Sequence, residues 1–215
     1  MDIKAKVTEI RDEIGKYGDI KLVAATKYLN IEQTKELIAA GIKNFGENRT
    51  DMFLEKYEAL KEYDIKWHFF GVVQSRKVKD VANRIECLHS LDRLSLAMEL
   101  DKRLEKPLDC YIQINISEEP NKQGIPISKT KSLVKSLSKC KNIRIIGLMC
   151  IAKMTCDEDV LNEEFSQMKK MQLEIEAMNL EHAPCHELSM GMSNDYKLAL
   201  EAGATCVRLG RIFIE

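Results

Sequence analysis

The chain has 215 residues, enough for one well-buried core, and its 33 Lys and Arg against 34 Asp and Glu give a formal net charge of −1. No global field marks it for nucleic acid or an anionic membrane, and residues 1–18 mix charges amphipathically instead of forming a secretory signal or span, so the expectation is a cytoplasmic protein with small-molecule partners. The seven cysteines, at 87, 110, 140, 150, 156, 185 and 206, form no Cys-x-x-Cys pair and no zinc-type spacing; reduced thiols and no resident metal are expected.

Ile3, Val7, Ile10 and Ile14 make one apolar helical stripe, which Gly15 and Gly18 end. A first strand over 21–27 follows, "KLVAATK", and delivers Lys27 to its far end. Asn30 and Gln33 have capping-box spacing for a helix that Gly41 stops, and a second strand, 42–46, ends in Glu47 and Asn48. The same grammar continues through a helix over 52–60, a strand over 66–71, a helix opening at Gln74, a strand over 87–91, a helix over 94–104 and a strand over 108–116. The polar segment 117–124 reads as a loop. Ser128 is the expected cap of a helix over 129–139, and 143–150 is an apolar strand of the kind a parallel sheet buries on both faces. Thr155 and Glu158 have capping-box spacing for the longest helix, a seventh strand reaches Ser189, a helix spans 194–202 and the eighth strand is 205–209.

Eight strand-then-helix steps predict an α/β protein, a closed (β/α)8 barrel of TIM type formed by residues 1–215 as a single domain. With no outer helix after the eighth strand, the N-terminal helix is expected to cover it and close the ring.

In such a barrel the strand ends share one mouth, which would gather Lys27, Asn48, Gln74, Ser90, Asn115, Met149, Ser189 and Arg208. An amine there is expected to be partly desolvated and so shifted toward its neutral, nucleophilic form. The segments "LSMGMS" (188–193) and "VRLGR" (207–211) place Gly and Ser at the ends of strands seven and eight, where barrels hold phosphate. Ser193 is also placed to cap the following helix. Arg208, between apolar neighbours, needs an acceptor facing it. A lysine at strand one and a phosphate cradle at strands seven and eight suit a phosphorylated aldehyde, of which pyridoxal 5′-phosphate is the leading candidate.

The chain also resembles the pyridoxal-phosphate homeostasis protein family, single-domain relatives of the alanine racemase N-terminal barrel, over nearly its whole length. The matching segments are "KLVAATK", "FGEN" (45–48), "WHFFG" with "QSRK" (67–77), "SLDR" (90–93), "INISEEPNKQGI", "GLMCIA", "LSMGMSND" and "VRLGR". The resemblance implies that Lys27 carries pyridoxal 5′-phosphate as an internal aldimine, that Asn48 lies beside the ring, that Ser189, Gly191, Ser193, Gly210 and the amide of Arg211 surround the phosphate, and that Arg208 faces the pyridine nitrogen. A cation at that nitrogen weakens the ring as an electron sink. Arg211 departs from the family pattern, standing where a small hydroxyl residue is usual; Arg76 replaces a usual Asn.

The resulting expectation is a monomeric, non-catalytic protein that buffers or delivers the cofactor, with apo forms of pyridoxal-phosphate enzymes as recipients. The alternative is an amino-acid racemase-like enzyme, with Tyr28 or Tyr196 as the second acid/base that racemization requires and that a second domain supplies in such enzymes. A Schiff-base aldolase would need a lysine in a later strand, and only Lys153 is near one. His68 is expected to be a hydrogen-bonded barrel residue.

Overall fold

The computed structural model describes residues 2–214. Eight parallel strands close into a barrel in sequence order: β1 (Lys21–Ala25), β2 (Asn44–Glu47), β3 (Lys66–Phe69), β4 (Cys87–Leu91), β5 (Leu108–Ile114), β6 (Ile143–Cys150), β7 (Glu187–Ser189) and β8 (Cys206–Leu209). The ring shuts where Lys21 pairs with Cys206 and Val23 with Arg208. Outside lie α1 (Ile3–Ile14), α2 (Ile31–Ala39), α3 (Thr50–Ala59), α4 (Val78–Val81), α5 (Leu94–Asp101), α6 (Thr130–Ser136), α7 (Glu158–Glu176) and α8 (Tyr196–Glu201). The main apolar core fills the space between strands and helices, while Cys87, Tyr111, Ile146 and Met149 form a second cluster.

The N-terminal helix closes the outer ring as its place in the chain requires. Ile3, Val7, Ile10 and Ile14 are buried. At one flank Arg11 donates to the carbonyls of Ala40 (3.2 Å) and Gly41 (2.6 Å) beyond α2, and at the other Glu13 accepts from Tyr196 and pairs with Lys197 of α8.

Several strands are shorter than their apolar runs. β1 stops at Ala25 because the chain turns at Thr26, whose carbonyl leaves the ladder and accepts from Leu29 N at 2.9 Å. The Asn30–Gln33 capping box forms reciprocally. Three expected caps do not. Asp157, two residues after Thr155, caps α7 by accepting from the amides of Asp159 and Val160. A 3-10 turn over Ile127–Lys129 displaces Ser128 from the start of α6, and α8 begins without a side-chain cap because Ser193 is used elsewhere. Among the described residues no helix is long and apolar enough to cross a membrane, and the seven cysteines are unpaired, all buried except Cys156.

Candidate cofactor site at the barrel mouth

A cavity of about 480 Å³ opens at the C-terminal ends of the strands. Lys27, Asn48, Gln74 and Arg208 line it, brought from the ends of β1, β2, β3 and β8. The other four expected mouth residues lie elsewhere. Ser90 donates to the Gly71 carbonyl at 2.6 Å, Asn115 holds the following loop through the Glu119 carbonyl at 2.9 Å, and Met149 and Ser189 are fully buried. Gln113 and Phe70, which strand-end counting passes over, take their place in the lining. Gln113 could have been found from the alternation of β5, which puts it on the same face as Tyr111.

Lys27 is exposed, not partly desolvated. The turn at Thr26 carries it past the end of the strand, and its Nζ lies 4.7 Å from the centre of the Tyr28 ring. Tyr28 is itself 57% exposed.

Arg208 is the opposite case. Only 4% exposed, it donates from Nη1 to Ser189 Oγ (2.6 Å) and from Nη2 to the Cys150 carbonyl (2.8 Å), and no carboxylate among the described residues pairs with it. Burial pushes its pKa down, yet a guanidinium is basic enough to stay charged. Two of five N–H groups are spent on these bonds, so a buried cation with no ion-pair partner and with donors to spare borders the cavity.

Below Arg208 a polar chain descends through the barrel interior. Ser189 Oγ lies 2.9 Å from His89 Nδ1, His89 Nε2 lies 2.8 Å from His68 Nδ1, and His68 Nε2 lies 3.2 Å from Asn44 Oδ1. With Asn44 Oδ1 as the acceptor at the foot, His68 Nε2–H donates to it, His89 Nε2–H donates to His68 Nδ1, and the Ser189 hydroxyl, which accepts from Arg208, donates to His89 Nδ1. Desolvation pushes the His68 pKa down to about 3 and that of His89 well below 6.5, so both rings are neutral. Cys87 Sγ joins the two rings within 4.8 Å, a set of ligand-type atoms that could suggest a metal centre. The two ring nitrogens that would face an ion are already bonded to each other at 2.8 Å, closer than the edge of about 3.3 Å that Zn–N bonds of ~2.0–2.1 Å impose, and the group is a relay of hydrogen bonds instead.

At the ends of β7 and β8 the backbone comes in close. Gly191 has φ +94°, and a Cβ there would stand 2.8 Å from Ala199 Cβ; at Gly210 it would stand 2.7 Å from the Ala25 carbonyl oxygen. Ser193 Oγ accepts long contacts of 3.4 Å from the amides of both Gly210 and Ile212. These two amides, which flank that of Arg211, converge on the Ser193 hydroxyl at the start of the 3-10 turn Arg211–Phe213; the Arg211 side chain is exposed. Ser189 does not join them, since its hydroxyl is held between Arg208 and His89.

A second cavity, about 560 Å³, lies at the opposite end of the barrel. Its central groups are mutually satisfied: Lys21 pairs with Glu187 at 2.8 Å, and Glu187 also accepts from the Tyr111 hydroxyl.

The family profile described as "Alanine racemase, N-terminal domain" matches residues 2–214. The chain is 36% identical to the pyridoxal phosphate homeostasis protein of Aquifex aeolicus, over 89% of this chain and 85% of that protein. The solved structure of PipY from Synechococcus elongatus without pyridoxal phosphate superposes with a TM-score of 0.92 at 28% identity, covering 99% of this chain and 100% of the other. The form of PipY with pyridoxal phosphate bound gives 0.90 at 27% identity, covering 99% and 100%.

Proposed function

This chain belongs to the pyridoxal phosphate homeostasis protein family, built on the alanine racemase N-terminal domain, and we propose from that premise that it binds pyridoxal 5′-phosphate in the cytoplasm and buffers or delivers it. One observation carries the reading: Lys27 and a buried Arg208 without a carboxylate partner border one cavity, next to a cluster of close-approaching glycines and the Ser193 hydroxyl.

The residues fit the group. When bound, pyridoxal 5′-phosphate supplies an electrophilic aldehyde, which the Lys27 amine takes up as a Schiff base with loss of one water. Gly191 and Gly210 let the chain pack against α8 and β1 where a Cβ would clash, and so hold Ser193 and the amides of Gly210 and Ile212 together as donors for the phosphate. Arg211 serves through its place in the turn, and Asn48 borders the ring. Arg208 faces the pyridine nitrogen, with Ser189 as its support. Because Arg208 has no acceptor to offer, it does not stabilise a proton on that nitrogen, and the site binds the cofactor well while promoting carbanion chemistry poorly. A racemase would need a second acid/base, and Tyr196 is held by Glu13 on the outer wall, away from the mouth. The single barrel domain acts as a monomer, with apo enzymes as recipients.

The test is an absorption spectrum over roughly 300–500 nm, with borohydride reduction and peptide mapping, on the wild type and a Lys27→Ala variant. A visible band that borohydride bleaches, with the adduct on Lys27 and lost in Lys27→Ala, is expected. A wild-type protein that stays colourless and unlabelled with added pyridoxal 5′-phosphate would overturn the reading. Amino-acid turnover by the unreduced protein loaded with pyridoxal 5′-phosphate would overturn its non-catalytic part.

A further inference from the structure

Behind the mouth, between β2 and α3, lies a buried ion pair that the binding site itself does not use. Glu47 is 0% and Lys56 2% exposed, with Lys56 Nζ 2.5 Å from Glu47 Oε1. Removing two charges from water is costly, and apolar side chains of similar volume would serve packing as well or better. The pair is also incompletely satisfied, since Glu47 Oε2 is buried without a hydrogen-bond partner. Packing alone therefore gives no reason for it.

The contacts of the pair supply one. Lys56 Nζ also donates to the Thr26 carbonyl at 2.5 Å, and Glu47 Oε1 accepts from the Thr26 hydroxyl at 2.6 Å. The Thr26 amide is fixed as well, donating to the Gly46 carbonyl at 3.0 Å. Residue 26 is thus anchored at its amide, its hydroxyl and its carbonyl, immediately before an exposed lysine that no strand hydrogen bond orients.

We propose that the Glu47–Lys56 pair is a positioning clamp for Lys27: it locks Thr26 so that the amine is presented to the cavity from one backbone conformation. This rests on the reading of Lys27 as the cofactor-binding amine. The clamp touches neither the cofactor nor the amine and acts through Thr26. Holding a reacting group in place saves the entropy of finding that place, and displacements near 1 Å far from the chemistry can cost on the order of 100-fold.

The decisive variant replaces both charges at once, Glu47→Leu with Lys56→Met, so that no lone charge is left buried. Three quantities are compared with the wild type: the urea midpoint, borohydride-trapped labelling of Lys27 by pyridoxal 5′-phosphate, and amide exchange at Leu29, whose N–H bonds the Thr26 carbonyl, measured without ligand. The expected result is a retained midpoint, labelling weaker by ~10-fold or more, and faster exchange at Leu29. A variant that labels and exchanges like the wild type would overturn the clamp. If the double variant does not fold, Thr26→Val removes one anchor with little change of shape, and about 3-fold weaker labelling is expected; unchanged labelling overturns the proposal. A wild type that takes up no label on Lys27 would overturn the binding reading, and unaltered Leu29 exchange would overturn the clamp whatever the labelling shows.

Discussion

Ser189 stands between a cation that only donates and an imidazole that must accept, so its hydroxyl satisfies both. Ser189→Ala leaves an Arg208 N–H and His89 Nδ1 without their buried partner, and a loss of about 2–3 kcal/mol in urea denaturation is expected, with weaker uptake of pyridoxal 5′-phosphate as Arg208 loses its support. A loss below ~0.5 kcal/mol would show that Ser189 does not hold Arg208. At this scale the sequence was partly legible. Lys27, Asn48 and Arg208 can be read as strand-end residues because the parallel barrel sends every strand end to one mouth. Ser189 was misplaced by the same logic: it is the last residue of β7, but its side chain points into the barrel beneath Arg208 and not toward the cavity. His89 is legible only through its alternation with Cys87 along β4, which sets both on one face.

Between β7 and α8, Gly191 lets the chain turn with φ +94° and pass within van der Waals reach of α8. Gly191→Ala forces a Cβ to 2.8 Å from Ala199 Cβ and 2.9 Å from Tyr196 Cα in a left-handed conformation, and a loss of about 2–4 kcal/mol is expected in thermal or urea unfolding. Gly15→Ala is the control: φ is −61° and no atom lies within 4 Å, so stability should hold or rise by up to ~1 kcal/mol. Elements were legible wherever apolar periodicity was strong, as in β4 and β6, whose bounds agree with their apolar runs. Ends and caps were less so. Whether Thr155 or Asp157 caps α7 depends on which residue leaves helical geometry first, and two polar residues so close offer equal credentials in sequence.

For the molecule as a whole, the eight-step rhythm specified the barrel because each amphipathic helix can bury its stripe only against the strands beside it. The polar relay inside was not legible, since it joins residues from β2, β3, β4, β7 and β8 that no local pattern relates. It has a measurable cost in acid. A histidine held near pKa 3 when folded and near 6.5 when unfolded binds fewer protons in the native state across that interval, so stability is full above pH 6.5 and falls as pH drops toward 3. The interval corresponds to on the order of 3–5 kcal/mol, and urea midpoints measured from pH 7.5 to 4 should decline more steeply for the wild type than for His68→Gln. Parallel slopes would remove His68 as the cause. The neutrality of the two rings also sets how the protein meets a change of conditions. Above the pH at which the rings take up protons the relay stays neutral and Arg208 keeps its positive charge, so through the relay acid acts on Arg208 only by weakening the barrel that holds it.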